Sequence, residues 1–290
     1  MSAERAAAER FTGQRATRAQ PIGGEAFAVT LADGRKVVTK RGQGRGAATA
    51  EAAGLRWLAE YGDVPTPEVH GWDEEWLVIQ HVSTGVPSTS AAERLGRRLC
   101  ALHRRGAPAF GSAPPGGPAD AWMGLAPMRN EPHGDWPTFF AAYRIEPYVR
   151  SCVDKGLFDQ AQAEVFDRVC ERLPELAGPA EPPARLHGDA WSGNVLWASD
   201  GEAWLIDPAA HGGHRETDLA MLHLFGLTSL QYVLGGYLEA AADAGAPLPA
   251  DWRDRIPLHQ LFPLLMHAAV FGGGYARQSL AAAEDALRLG

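Results

Sequence analysis

The stretch from Arg185 to Trp197 constrains this chain more than any other. It reads Arg-Leu-His-Gly-Asp-Ala-Trp-Ser-Gly-Asn-Val-Leu-Trp, so His187, Gly188, Asp189 and Asn194 form the pattern H-G-D-x-x-x-x-N. A second acidic centre follows on an apolar run, Trp204-Leu-Ile-Asp-Pro208, with Asp207 thirteen positions beyond Asn194. A short loop of this kind sets the Asp189 carboxylate where it can orient a hydroxyl and take its proton. The amide oxygen of Asn194 and the carboxylate of Asp207 are hard oxygen donors, suited to a Mg²⁺ ion shared with phosphates.

The chain contains its own control. His133-Gly134-Asp135 also reads H-G-D, but Phe140 stands where the Asn should be and no Asp-bearing apolar strand follows at a similar distance. That copy reads as a loop before a helix. H-G-D alone is a weak signal, whereas H-G-D-x-x-x-x-N with a later apolar Asp is a strong one. The Asp189 copy points to phosphoryl transfer, with Asp189 catalytic and Asn194 and Asp207 holding Mg²⁺ beside ATP.

At 290 residues the chain exceeds the usual size of a single core, so one large or two medium lobes are expected. Its net charge of −8 argues against a nucleic-acid backbone as partner and is compatible with a cationic small substrate. Cys100, Cys152 and Cys170 are far apart, odd in number and in no C-x-x-C pattern, which predicts free buried thiols. The opening residues Met1–Arg10 are charged throughout and predict no signal peptide. Apolar runs such as Leu261–Val270 are too short to span a bilayer, so a cytoplasmic protein is the default.

Residues 1–13 read as an Ala-rich helix stopped by Gly13. Ala26–Leu31 alternates, Asp33-Gly34 makes a turn, and Arg35–Lys40 is the return strand. Gly23-Gly24 ahead of this hairpin is read either as a backbone cradle for ATP phosphates or as a plain tight turn. Lys40 ends the strand, where an ammonium can bridge those phosphates. Ala47–Glu60 has strong helix propensity and carries Glu51 in its first turns, placed to brace Lys40 or to complement the helix dipole. Val69–Trp72 and Trp76–Gln80 read as a strand pair around an acidic turn. Gln80, His81 and Val82 then form a connection whose backbone faces the adenine edge.

Residues 1–82 are thus expected to form a small nucleotide-binding lobe and 83–290 a mainly helical lobe, an α+β class. In the second lobe Ser90 is expected to cap a helix running to about Arg105, with Glu93 completing a capping box. Ala107–Pro118 is a Pro- and Gly-rich loop. A helix starts at Pro137, with Phe139 and Phe140 in the core, and helices are expected over 159–173, 221–225, 229–242, 256–270 and 276–289. His187 is expected to hold its loop through backbone contacts, and Asp218 to cap a helix or anchor that loop.

Together these residues resemble the fructosamine kinase (ketosamine 3-kinase) family, small-molecule kinases sharing the protein-kinase-like fold with aminoglycoside and choline kinases. The resemblance rests on His187-Gly-Asp-Ala-Trp-Ser-Gly-Asn194, Asp207-Pro-Ala209, Gly213-His-Arg-Glu-Thr-Asp-Leu-Ala220, Leu224-Phe-Gly226, Trp136-Pro-Thr-Phe-Phe140 and Gln260-Leu-Phe-Pro-Leu-Leu265. It implies ATP-dependent phosphorylation of a ketoamine sugar at the 3-hydroxyl, followed by release of the free amine, with Leu196 as an apolar floor beneath adenine.

On the substrate side, Trp191 packs on a sugar face or lies buried under the loop. His214, Arg215 and Glu216 reach the sugar or its amine, or form a solvated helix entrance. The chain departs from the family in its short Gly23-Gly24 segment, in Gln80 where an acidic residue often stands, and in His211, which replaces an aromatic residue. Residues 21–27 hold no Cys, so no redox switch is expected there. Alternatives are another kinase of the same fold, a pseudokinase binding module, and a zinc site on His211 and His214, which lacks an evident third ligand. Whether the ketoamine is free or protein-bound, and the oligomeric state, stay open.

Overall fold

Alternating apolar residues in the first third of the chain pair into one antiparallel sheet. In the computed structural model, which describes residues 2–289, helix α1 (Ala3–Thr12) stops at Gly13 in the left-handed conformation. Strands β1 (Ala16–Gly23), β2 (Ala26–Leu31) and β3 (Lys36–Arg41) follow, then helix α2 (Ala47–Ala59) and strands β4 (Val69–Trp72) and β5 (Trp76–Gln80). The strand order is β1-β2-β3-β5-β4. Val29, Leu31, Val37 and Val78 pack under α1 on one face, and Leu55, Leu77 and Ile79 join α2 to the other. Strand β1 escapes the alternation test because it is an edge strand, mostly exposed, where Pro21 is tolerated for want of a second pairing partner.

The remainder is mainly helical. Helices α3 (Thr89–Arg104), α4 (Trp136–Phe140), α5 (Glu146–Asp154), α6 (Gln160–Leu176), α7 (Arg215–Leu224), α8 (Leu230–Asp243), α9 (Ile256–Phe271) and α10 (Gly274–Ala286) are interrupted by short hairpins. The hairpins are β6 (Asp120–Met123) with β7 (Ala126–Arg129) and β9 (Val195–Trp197) with β10 (Ala203–Leu205), the second enclosed by the antiparallel pair β8 (Ala184–Leu186) and β11 (His211–Gly213). One core gathers α4–α6 around Leu258, Leu261, Phe262 and Leu265 of α9. The other joins α3 to α8 and takes in Trp57 of α2. Helices α3 and α8 approach so closely that a Cβ on Gly96 would fall 1.9 Å from the Val233 carbonyl oxygen. Among the described residues no helix is long and apolar enough to cross a membrane.

Two local features differ from expectation. The cap of α3 is Ser88, whose Oγ accepts the Ala91 N–H at 3.1 Å, and Ser90 lies inside the first turn, so the Ser90–Glu93 box does not form. The helix begun at Trp136 widens into a π-turn over Ala141–Ile145. Pro147 has no N–H to return to the Tyr143 carbonyl, and that oxygen instead accepts from Arg144 Nη1 at 3.2 Å. Asp135 of the second H-G-D caps α4 by accepting the Thr138 N–H at 2.9 Å, as a loop before a helix should.

Replacing Ser88 by Ala is expected to lower unfolding stability by about 1 kcal/mol, and Ser90→Ala by clearly less. Denaturant melts of the two variants check this, and equal losses would contradict it.

Candidate active site

The loop after β8 is held from behind. Asp218, 1% exposed at the start of α7, accepts the backbone N–H of His187 at 2.8 Å and of Gly188 at 2.9 Å. His103 Nε2 lies 3.2 Å from the same carboxylate, and its Nδ1 lies 2.9 Å from the Tyr237 hydroxyl. His187 bonds the Ile206 carbonyl through Nε2 at 3.0 Å and accepts the Asp189 N–H through Nδ1. Burial keeps that ring neutral, its pKa below the ordinary value. A bond to Ile206 also ties the Asp189 loop to the strand end that presents Asp207.

The glycines of the motif are steric requirements. Gly188 sits at φ 82°, and a Cβ there would fall 2.1 Å from the Ala209 carbonyl oxygen. The Trp191 indole folds over Gly193, where a Cβ would lie 2.2 Å from the ring. Trp-Ser-Gly-Asn is thus one packed unit.

At the front, Asn194 Nδ2 donates to the Asp189 carbonyl at 2.8 Å and to its Oδ2 at 2.9 Å. Lys40 Nζ reaches across from β3 to Glu51 Oε1 at 2.7 Å and to Asp207 Oδ1 at 2.8 Å. Asp207 has φ 55°, a conformation rare outside glycine that aims its carboxylate at the ammonium. Lys40, Glu51, Asp189, Asn194 and Asp207 are therefore linked in one hydrogen-bonded group between the lobes. Burial pushes the Asp189 carboxyl up to about 7, assisted by the Asp207 and Asp218 charges and opposed by the Asn194 hydrogen bond. Burial disfavours the Lys40 ammonium, but the Glu51 and Asp207 carboxylates outweigh it and raise the pKa.

The remaining expected positions are distributed over the β1–β2 hairpin, the end of β5 and the segment from Trp191 to β9. Gly23 and Gly24 form the tip of the β1–β2 hairpin at φ 138° and 49°, conformations that favour glycine. Gln80 ends β5, and its side chain turns back to accept the Glu68 N–H at 3.3 Å. That leaves the backbone of His81 and Val82 as the connection between lobes. Leu196 lies on β9 opposite Trp204. Trp191 is half-buried and meets Phe225 edge-on at 5.5 Å between ring centroids. Phe225, His267, Phe271 and Tyr275 extend it into an aromatic cluster, and Phe271 is 60% exposed.

For His214, Arg215 and Glu216 the solvated-entrance expectation is corrected. Glu216 is 2% exposed and held by Arg255 through Nε at 2.9 Å and Nη2 at 2.8 Å. Arg215 is paired with Glu181 and donates to the Ala246 carbonyl. His214 is buried between Trp136 and His259, its Nδ1 accepting the Glu216 N–H at 3.2 Å. These groups form a buried polar lattice and not a solvated entrance. Nor does the lattice suit zinc, although potential ligand atoms of His214, Glu216 and His259 lie within 4.8 Å of one another. A neutral His214 that accepts at Nδ1 carries its proton on Nε2, and a guanidinium already covers the Glu216 carboxylate.

Burial lowers the pKa of His187, of His214 and of His211, the last to about 3. Below about 6.5 the unfolded chain therefore binds protons that the folded chain refuses, and stability falls with pH at about 1.4 kcal/mol per unit for each such ring. Denaturant unfolding between pH 8 and 5 should steepen below about 6.5, and His211→Asn should remove about one proton from the slope. The raised Asp189 carboxyl acts in the opposite sense below about 7, so the difference between the two proteins carries the test, and an unchanged slope in His211→Asn would contradict the buried neutral ring.

Residues 14–288 match the family model described as fructosamine kinase. A Thermus thermophilus protein named as a candidate ketoamine kinase is 35% identical over 229 residues, covering 78% of this chain and 77% of its own. The chloroplastic protein-ribulosamine 3-kinase of Arabidopsis thaliana is 26% identical over 258 residues, covering 87% and 76%. The crystal structure of a candidate fructosamine-3-kinase from Thermobifida fusca superposes with a TM-score of 0.90 at 42% identity, covering 99% of each chain. An aminoglycoside phosphotransferase at TM-score 0.63 and 16% identity, covering 97% of this chain and 98% of its own, shares the fold. On the family match and on these relatives, the chain belongs to the fructosamine kinase family of protein-kinase-like phosphotransferases with alcohol acceptors.

Proposed function

We propose that this chain transfers the terminal phosphoryl group of ATP to a ketoamine sugar, at the 3-hydroxyl, so that the glycated amine is afterwards released. The observation that carries the reading is the Asn194 amide locking the Asp189 carboxylate while Lys40 bridges Glu51 and Asp207 across the cleft. Asp189 Oδ1 is left to accept the hydroxyl proton, and a carboxyl raised to about 7 by burial is matched to that task near neutral pH. Family membership implies ATP. Lys40 exchanges Asp207 for nucleotide phosphates while Glu51 keeps it in place. The Gly23-Gly24 tip, the backbone of Gln80, His81 and Val82, and Leu196 serve the rest of the nucleotide.

The residues present suit Mg²⁺. No hydrogen bond among the described residues engages Asn194 Oδ1 or Asp207 Oδ2, leaving two hard oxygen donors for such an ion. Bound there, the ion would neutralise charge on the phosphate oxygens. On the acceptor side the Trp191 indole, two positions after the base, offers an apolar face to a sugar ring. The relatives named as ketoamine and ribulosamine kinases support a ketoamine over other alcohols. Cys152 and Cys170, their thiols pushed up to about 11 and about 12 by burial, are unreactive and suit the reducing cytoplasm.

The test is ADP formation across free and protein-bound fructosamines, ribulosamines and erythrulosamines, with choline and an aminoglycoside as comparison alcohols. Ketoamines should be turned over, with the phosphate on the 3-hydroxyl by NMR, and Asp189→Asn should lower kcat by about 10²- to 10⁴-fold without unfolding. Preference for choline or the aminoglycoside, or a folded Asp189→Asn enzyme of near wild-type rate, would refute the reading.

A further inference from the structure

The β6–β7 hairpin buries one face, Ala121, Met123, Ala126 and Met128, in the helical lobe and turns Trp122 on the other face to the sheet lobe. On the helical side, Arg144 Nη1 donates to the Arg129 carbonyl at 2.7 Å and Nη2 to Asn130 Oδ1 at 2.6 Å. The Tyr148 hydroxyl donates to the Pro127 carbonyl at 2.7 Å, and Met123 and Met128 are buried in the helical core. Arg144 is itself 1% exposed, stacked on Phe139 and Phe262, and no carboxylate pairs with it among the described residues. A guanidinium buried without an anion is costly, so what it secures has to matter to the fold.

On the other face, Trp122 Nε1 donates to the Arg45 carbonyl at 3.1 Å. Its ring lies on Gly44 so closely that a Cβ there would fall 2.1 Å from Cζ2. Gly44 has no positive φ, so the glycine answers to this contact and not to a turn. Residues 42–46 join β3, which carries Lys40, to α2, which carries Glu51. Alongside, Ala50 of α2 faces Pro114, Pro118, Ala121 and Trp122 across a gap of about 10 Å³, too small for a ligand. One turn on, a Cβ on Gly54 would lie 3.3 Å from both Ala210 and Pro208, next to Asp207. Helix α2 is therefore seated against the helical lobe at two levels.

We propose that Trp122 is a positioning residue for the nucleotide end of the site: it fixes the Gly44–Arg45 loop, and so sets Lys40 and Glu51 against Asp207. The hairpin acts as a wedge between the lobes, held on the helical side by Arg144 and Tyr148 and bearing on the first turn of α2. This rests on the nucleotide-binding half of the reading above and not on the identity of the acceptor.

The experiment measures Mg·ADP binding by calorimetry and steady-state constants for Trp122→Ala, Trp122→Phe, Gly44→Ala and the Trp122→Ala/Gly44→Ala double variant. Trp122→Ala should weaken Mg·ADP binding and raise KM for ATP about tenfold, while KM for the acceptor moves less than about twofold. Trp122→Phe keeps a ring over Gly44 and should stay within about threefold of wild type. Gly44→Ala expels the ring and should match Trp122→Ala, the double variant being no worse than either. Unchanged nucleotide binding in folded Trp122→Ala would overturn the inference. So would full additivity in the double variant, or a uniform loss of all constants in step with loss of folded protein. A wild-type protein that binds no nucleotide would overturn the kinase reading, and this inference with it.

Discussion

One ammonium group joins the two lobes. Lys40 Nζ stands 2.7 Å from Glu51 on α2 and 2.8 Å from Asp207 on the helical lobe, and it is only partly exposed. At an effective dielectric of about 20, each contact represents several kcal/mol of attraction before desolvation, the range in which breaking a pair is costly but exchanging partners is not. That is the property a phosphate site needs. On the proposed reading, a bound polyphosphate would offer Lys40 new negative charge, and Asp207 would be one of the residues to hold a metal ion, so the cleft would stay neutralised with either partner. Glu51, its carboxyl raised by burial and by the nearby Asp207 charge, is stabilised as an anion chiefly by Lys40. The three groups stand or fall together.

The Asp189 end of the cleft is built by a different device. Asp189 is oriented from one side by the Asn194 amide and from the other by a loop whose backbone hangs on Asp218. Asp218 is in turn hydrogen-bonded to His103, and His103 to Tyr237, so helices α3, α7 and α8 all bear on the catalytic loop through one buried chain. Burial alone would raise the Asp218 pKa, yet the His103 bond and the two amides hold it below the ordinary value, keeping the anchor charged. A fixed anion inside the fold thereby sets the position of a more labile one at its surface.

How much of this was legible in the sequence depended on range. The catalytic loop was readable because Asp189 and Asn194 lie within one turn of chain, and Asp207 because an acidic residue ending an apolar strand is unusual. Lys40 and Glu51 were legible as a pair because a strand end and a following helix fix their separation. Arg215 and Glu216 misled, since nothing local shows that Glu181 and Arg255, more than thirty residues away, neutralise them. The cap of α3 was misplaced by two residues because Ser88 and Ser90 are chemically equivalent and only backbone geometry separates them. The π-turn at Ala141–Ile145 depends on a missing N–H at Pro147, a signal present in the chain but easily read as tolerated punctuation. The β6–β7 hairpin left no trace, because its strands are four residues long and one contains a proline.

The claim that ties these observations together is that Lys40 and Asp207 face each other across a nucleotide cleft. Calorimetric titration with ATP, with and without Mg²⁺, of the wild type and of Asp207→Asn tests it most directly. Tight binding that requires Mg²⁺ in the wild type, and that loses this requirement along with most of its affinity in folded Asp207→Asn, is the predicted result. Binding indifferent both to Mg²⁺ and to the substitution would contradict it.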